Sequence, residues 1–267
     1  MAKSKVPAAY YVREWYDKSD IDYFGAFVKV YIPFNAWMNE HFKEEKTDRG
    51  MLERVKNDVN TFRQKIETLL LLEGSDGDEF RSLIAKLHSA LERSTISNLG
   101  EKITFERVET GKNPNDTKIQ NYYGVEYKVH YDSSPNNSKI EVTEKRSGRK
   151  LINMTLDKYP SEESIVVDPK IAALRQSQRD CLMGVYRMVN PTKIESLLYK
   201  GKKKKEGIQC GVYKMISDTH KLAAGIVEIL YSLRNALFHG IIDPNEDANK
   251  VYEAAYQIMH TLVGALT

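Results

Sequence analysis

The sequence predicts a mainly α protein of the α+β class, a helical bundle carrying a small inserted antiparallel β-sheet. Apolar residues recur at steps of three and four before residue 100 and again after residue 160, the spacing of one helix face. Between them the pattern shifts to short β-branched and aromatic runs separated by turn clusters. The expected division is 1–100 for the N-terminal helices, 101–160 for a β-rich insertion and 161–267 for the C-terminal helices.

In the first segment, Ser19-Asp20 precedes Phe24, Phe27, Val28, Tyr31, Phe34, Met38 and Phe42 at helical spacing, with Pro33 expected to kink that helix. Leu52, Val55, Val59, Phe62, Ile66 and Leu69 predict a second helix with a narrow apolar seam, packed antiparallel to the first. Phe80, Leu83, Ile84, Leu87 and Leu91 mark a shorter third helix after a Gly74–Gly77 turn.

The strands are expected at 103–105, 122–131, 139–143 and 151–156, with Ser133-Ser134-Pro135-Asn136-Asn137 and Arg146-Ser147-Gly148-Arg149 as turns. Helices resume at Asp168-Pro169, an N-cap followed by a first-turn proline, and run on to Met188. Asn190-Pro191 repeats that signal for a short helix ending near Gly201. A loop follows, then a long helix from Tyr213 to His239, and a last one capped by Asp243-Pro244-Asn245-Glu246 with Glu246 in the capping-box position.

Charged residues make up 29% of the 267-residue chain and hydrophobic residues 41%, which excludes disordered and membrane-spanning classes. Without an apolar leader at Met1–Pro7, the expected compartment is the cytoplasm, with no membrane partner. Two cysteines, Cys181 and Cys210, lack metal-ligand spacing, and no Walker-type loop or dinucleotide fingerprint occurs. No cofactor and no metal are therefore expected. A formal net charge of +3 means that any nucleic acid must be held by local patches.

The chemistry-bearing stretch is Arg234-Asn235-Ala236-Leu237-Phe238-His239-Gly240, where the long helix ends. Arginine is a forked phosphate donor, and histidine moves protons near neutral pH. Ile216, His220, Ala223, Val227, Leu230, Arg234 and Leu237 form the core-facing stripe, so Arg234 needs a partner for its charge. Glu228, Ser232, Asn235 and His239 fall on a different, polar face. A five-residue separation turns Arg234 and His239 roughly 140° apart, so two copies meeting about a two-fold axis would converge the groups better than one helix. Arg-x4-His alone arises by chance in about a third of chains of this composition, and Asn235 cuts that to about one or two in a hundred.

Arg234-Asn235-x3-His239-Gly240, near the end of a penultimate helix with one helix after it, resembles the R-x4–6-H motif of the HEPN superfamily. The resemblance implies a dimeric, metal-independent endoribonuclease of toxin or defence type. It assigns proton transfer to His239, phosphate or transition-state contact to Arg234 and an orienting role to Asn235. The implied partners are RNA, a second copy of the chain, and an antitoxin or another defence-system protein. The alternative is a noncatalytic dimerisation, interaction or nucleotide-binding module in which the same residues hold an interface.

Further RNA contacts are sought in Lys202, Lys203, Lys204 and Lys205, which read equally as a solvated loop. Lys145, Arg146, Arg149 and Lys150 stand near Tyr122, Tyr123, Tyr127 and Tyr131, so charge and stacking surfaces coincide. The competing reading is an ordinary sheet surface, since Glu126, Glu141 and Glu144 dilute the field. Arg81 and His88 share a helix face at a decoy spacing and read as a solvated arginine and a helix-surface histidine.

Overall fold

The computed structural model describes residues 22–266, apart from 99, 113–115, 202–205 and 241. The expected Ser19-Asp20 helix start and the lysine run at 202–205 therefore lie outside the described residues. About 51% of the chain is helical and 22% is strand, arranged in several antiparallel sheets. This corrects the mainly helical class: the chain is an α+β mixture. Among the described residues, no helix is long and apolar enough to cross a membrane.

Two compact units are present. Unit 1 combines the residues up to Val108 with Glu195–Thr267, and unit 2 is Glu109–Ile194.

In unit 1, α1 spans Tyr23–His41 and starts where Asp22 accepts a hydrogen bond from the Gly25 amide at 3.1 Å. Pro33 lies inside α1 without ending it. The expected second helix is two: α2, Asp48–Asn57, and α3, Thr61–Leu71. Asn60 makes the break. Its Oδ1 accepts from the Arg63 amide at 2.9 Å, capping α3, while its Nδ2 donates to the Val55 and Asp58 carbonyls. Val59, assigned by its spacing to the apolar seam, is consequently 75% exposed.

The third expected helix becomes α4, Ser75–Arg93, at 19 residues as long as α1. Gly77 falls in its first turn, where an added Cβ would lie 2.0 Å from the Leu72 carbonyl oxygen. Only glycine fits that approach. Two short hairpin strands follow, β1 (Ser97–Asn98) and β2 (Glu101–Lys102).

Unit 2 begins in β3 (Val108–Lys112) and continues with β4 (Thr117–Tyr122), β5 (Val125–Asp132), β6 (Asn137–Glu144) and β7 (Lys150–Asp157). The last four form an antiparallel sheet in sequential order. Alternation sets its buried face: Val125, Tyr127 and Val129 on β5 join Ile140, Val142 and Ile152. Next come α5 (Glu162–Val166), α6 (Pro169–Ala172) and α7 (Gln176–Val189). The helix expected without interruption from Asp168 is thus broken after Ala172. Leu182, Val185, Tyr186 and Val189 of α7 complete this second core, separate from that of unit 1.

The short helix expected at Asn190-Pro191 is instead strand β8, Thr192–Glu195, paired with β3. Asn190 precedes a proline, which favours extended backbone, and its side chain accepts from the Thr192 amide at 2.9 Å. The cap signal was a turn signal.

Back in unit 1, β9 (Ile208–Cys210) and β10 (Tyr213–Met215) form a hairpin where the long helix was expected to begin. That helix, α8, spans Thr219–Phe238, its start fixed by Asp218 accepting from the Lys221 amide at 3.0 Å. The last helix, α9, spans Glu246–Val263 and is capped by Asn245, so Glu246 is its first residue and not the third position of a capping box. Glu246 instead accepts from Lys250 one turn on, at 2.6 Å.

Packing in unit 1 places α9 against α1 and α4, and α8 against α2 and α3. Eleven residues of α8 are buried, including Leu222, Ile226, Leu230 and Leu233. Among them is Glu228, only 6% exposed, which corrects its assignment to a polar face. Its carboxylate accepts from Lys56 Nζ at 2.7 Å and from Arg49 at 2.6 Å, and the Lys56 side chain is fully buried. Charges enter such an interior only when paired. Glu53 adds a second carboxylate to Lys56 at 3.2 Å.

Removing one member of a buried pair strands the other, at a cost of about 3–5 kcal/mol. Glu228→Ala is expected to lose stability on that scale in urea denaturation. The double substitution Glu228→Leu with Lys56→Met should recover most of it, because neither charge then needs a partner.

Candidate functional site

Arg234 sits about one turn before the end of the buried helix α8, with 22% of its side chain exposed. The partner that its position on the core stripe demands is Asp48, the first residue of α2, whose Oδ2 lies 3.2 Å from Nη2. Thr47 caps α2 by accepting from the Gly50 amide at 3.0 Å, which holds Asp48 in the helix's first turn. Arg234 Nη1 donates to Asn235 Oδ1 at 3.0 Å. The guanidinium also lies over the Phe238 ring, 4.7 Å from its centroid, and 6.0 Å from that of Tyr31.

These contacts fix the plane of the guanidinium and engage two of its five N–H donors, leaving others for a phosphate oxygen. Asn235 acts here on Arg234 itself, steering its fork. The Tyr31 ring below is 4% exposed, and its hydroxyl is buried without a hydrogen-bond partner among the described residues. Burial pushes that hydroxyl's pKa well above the usual phenol range, and the nearby Arg234 charge partly opposes the shift.

His239 forms the C-cap of α8, and its side chain is exposed. Its backbone amide donates to the Asn235 carbonyl at 2.9 Å, and Gly240 follows at φ +65°, a left-handed turn that ends the helix. Phe238 beside it is 58% exposed. No hydrogen bond or ring contact joins Arg234 to His239 among the described residues. The motif thus presents a fixed cation and, at the helix end, a separate solvent-facing imidazole.

Sequence reasoning missed the residues around Arg234: Asp48, Arg49 and Lys56 on α2 and the buried role of Glu228 on α8. Arg49 also lies over the Tyr231 ring, 5.8 Å from its centroid. A signal existed in Thr47-Asp48, a cap followed by an acidic first-turn residue, because a stripe arginine calls for a carboxylate.

The other basic candidates do not act as one patch. Lys145 pairs with Glu126 at 3.9 Å and Lys150 with Glu141 at 3.4 Å, on the charged outer face of the unit 2 sheet. Lys128 and Lys139 reach the same Glu141. Burial pushes the Glu141 carboxyl up, but Lys150 and Lys139 more than offset it, leaving its pKa below the ordinary value. Arg149 is exposed in the β6–β7 turn, where its amide donates to Ser147 Oγ. Arg146 lines a cleft on another side of that turn. Lys202, Lys203, Lys204 and Lys205 lie outside the described residues.

The decoy pair is structural, which corrects its reading as surface residues. Arg81 donates to the Leu70 and Leu72 carbonyls at 3.0 and 2.8 Å, covering the end of α3. His88 is 3% exposed, edge-on to Phe105 and Tyr213. Among the described residues, no cluster of three or more histidine, cysteine, aspartate or glutamate side chains is placed to hold a metal ion. No family model, curated protein or solved structure matches the chain.

His88 yields a pH prediction. Burial lowers its pKa from the ordinary 6.5, with Glu92 and Glu106 opposing the shift, so the unfolded chain takes up a proton that the folded one resists. Its neutral form is accommodated at pH 7.5, and the associated stability is lost as pH falls below about 6.5. Urea denaturation should show a drop from pH 7.5 to 5.5 that is smaller in His88→Gln.

Proposed function

We propose that the chain is a metal-independent endoribonuclease related to the HEPN superfamily, acting in the cytoplasm as a homodimer. The observation that carries this reading is the arginine held by Asp48, Asn235 and Phe238 in the last turns of α8, with the exposed His239 five residues on. An oriented guanidinium costs little reorganisation when it meets a phosphate, and an exposed imidazole can reach a substrate proton.

In the proposed reaction, His239 removes the proton of an RNA 2′-hydroxyl, and the 2′-oxygen attacks the adjacent phosphorus. Arg234 stabilises the charge developing on the phosphoryl oxygens. The bond from phosphorus to the 5′-oxygen breaks, that oxygen takes a proton from water, His239 returns its own proton to solvent, and the products carry a 2′,3′-cyclic phosphate and a 5′-hydroxyl. A second copy of the chain supplies the facing motif, which suits the separation of Arg234 and His239 within one copy. Such an activity belongs to a toxin or defence effector, restrained by an antitoxin or another protein of the same system.

A second reading has its own observation. Arg234 already has an ion-pair partner within the chain, so the motif could tie α2 to α8 and serve a noncatalytic interaction module. The two readings separate on one experiment, digestion of RNA in excess EDTA by wild type, Arg234→Ala, Arg234→Lys and His239→Ala. The ribonuclease reading expects cleavage by wild type with cyclic phosphate ends. It expects a loss of about 10²–10⁴-fold in His239→Ala, whose exposed side chain leaves the fold unchanged. Arg234→Lys should also lose most activity, because lysine lacks the fork. Equal cleavage by all four proteins would sink the assignment, and a folded wild-type dimer that never cleaves favours the interaction module.

A further inference from the structure

Within unit 2, the β4–β5 turn, the β6–β7 turn and the start of α7 enclose an open cleft of about 1060 Å³. The ribonuclease chemistry makes no use of it. Tyr122 and Tyr123 stand on its rim from the first turn, Arg146 from the second and Arg175 from the N-cap of α7. Both arginines are exposed, and neither is in an ion pair among the described residues. The Lys145 amide donates to the Gly124 carbonyl at 2.8 Å, joining the two turns into one rim.

The aromatic pair is built at a conformational cost. Tyr123 and Gly124 are the two central residues of a tight hairpin between Tyr122 and Val125, with φ of 45° and 74°. Asparagine or glycine takes the first of those positions more readily than a bulky aromatic. What tyrosine adds is a ring 88% exposed, edge-on to Tyr122 with centroids 4.5 Å apart.

A second feature of the cleft is independent of its rim. Tyr127, fully buried, forms part of the wall, and its hydroxyl has no hydrogen-bond partner among the described residues. Such a group is destabilising unless something meets it. Ser177 and Gln178 line the same space in the first turn of the 14-residue helix α7, whose N-terminal end favours an anion.

Glu144, also on the rim, accepts from Ser147 at 2.9 Å and disfavours a simple anion. The lining therefore suits a molecule with a flat ring, N–H donors and a phosphate. We propose that this cleft binds a nucleotide, its base against Tyr122 and Tyr123 and its phosphate at Arg146, Arg175 and the start of α7. This site belongs to unit 2 and uses none of the residues of the Arg234–His239 motif, so either reading can fail without the other.

The test is calorimetric titration of the full chain carrying His239→Ala, so that no probe is consumed. Probes are the four 5′-nucleoside monophosphates, the corresponding nucleosides, inorganic phosphate and a 5′-phosphorylated RNA tetranucleotide. At least one monophosphate is expected to bind saturably, ten times or more tighter than its nucleoside or phosphate alone. Binding should weaken about tenfold or more in Arg175→Ala and in Tyr123→Asn, the latter with unchanged or improved thermal stability because asparagine suits the turn. A tetranucleotide that binds tenfold tighter than the monophosphates and loses that advantage in Arg175→Ala identifies the ligand as a nucleotide of an RNA strand, and equal or weaker binding identifies it as a free nucleotide. Absence of saturable binding by every nucleotide probe, phosphate binding as tight as any of them, or wild-type affinity in both variants overturns the proposal.

Discussion

Lys56 has no exposed side-chain surface, so its charge survives in the interior because it is paired, most closely with Glu228 at 2.7 Å and also with Glu53 on its own helix at 3.2 Å. Lys56 and Glu228 belong to different helices, and their pairing pins α2 to α8 at that point. From Lys56 back to Asp48 along α2 is about 12 Å, and from Glu228 forward to Arg234 along α8 about 9 Å, at 1.5 Å per residue. Antiparallel helices pinned at the first pair therefore bring the second pair together. Arg49 closes the ladder between them by reaching Glu228 at 2.6 Å. The orientation of Arg234 is thus a by-product of a charge buried two turns away.

This dependence explains what the sequence reveals and what it hides. Hydrophobic spacing marks helical segments where α1–α4 and α8 occur, because their apolar stripes each face one core, and a cap signal marks α9. Their ends are harder to read, since short polar side chains compete for the backbone. Asn60 splits a periodic stretch in two, Asn190 turns an apparent helix cap into the entry of a strand, and Asn245 takes the capping position expected of Asp243. Each case is a single side-chain hydrogen bond that periodicity does not register. The mainly helical class failed through such local choices, together with short hairpins such as β9–β10 whose few residues carry little pattern.

The candidate site divides in the same way. Arg234, Asn235 and His239 were legible because they are adjacent in sequence and end a helix. Asp48 is 186 positions away from Arg234, and no local pattern records that distance. Glu228 shows the limit most plainly: a carboxylate off the main apolar stripe reads as solvated until the lysine opposite it is seen. In unit 2, clustering of basic and aromatic residues was visible, but not how the β6–β7 turn divides them. Lys145 and Lys150 turn to the ion-paired outer face, while Arg146 turns toward the cleft shared with Tyr127.

Unit 1 is discontinuous, and this bears on the order in which the chain can fold. The Tyr23 amide reaches Asn249 across 226 positions, and α9 lies between α1 and α4. Until α8 and α9 have been synthesised, the first four helices lack the surfaces that bury their apolar stripes, and Lys56 has no Glu228. Unit 2 is one continuous stretch with a core of its own and can close while the remainder is still emerging. The long-range closures that seat Arg234 come late in synthesis, since contacts distant in sequence must first overcome the entropy of closing their loops. A nascent chain therefore holds its arginine and histidine in an unassembled state until its final helices arrive.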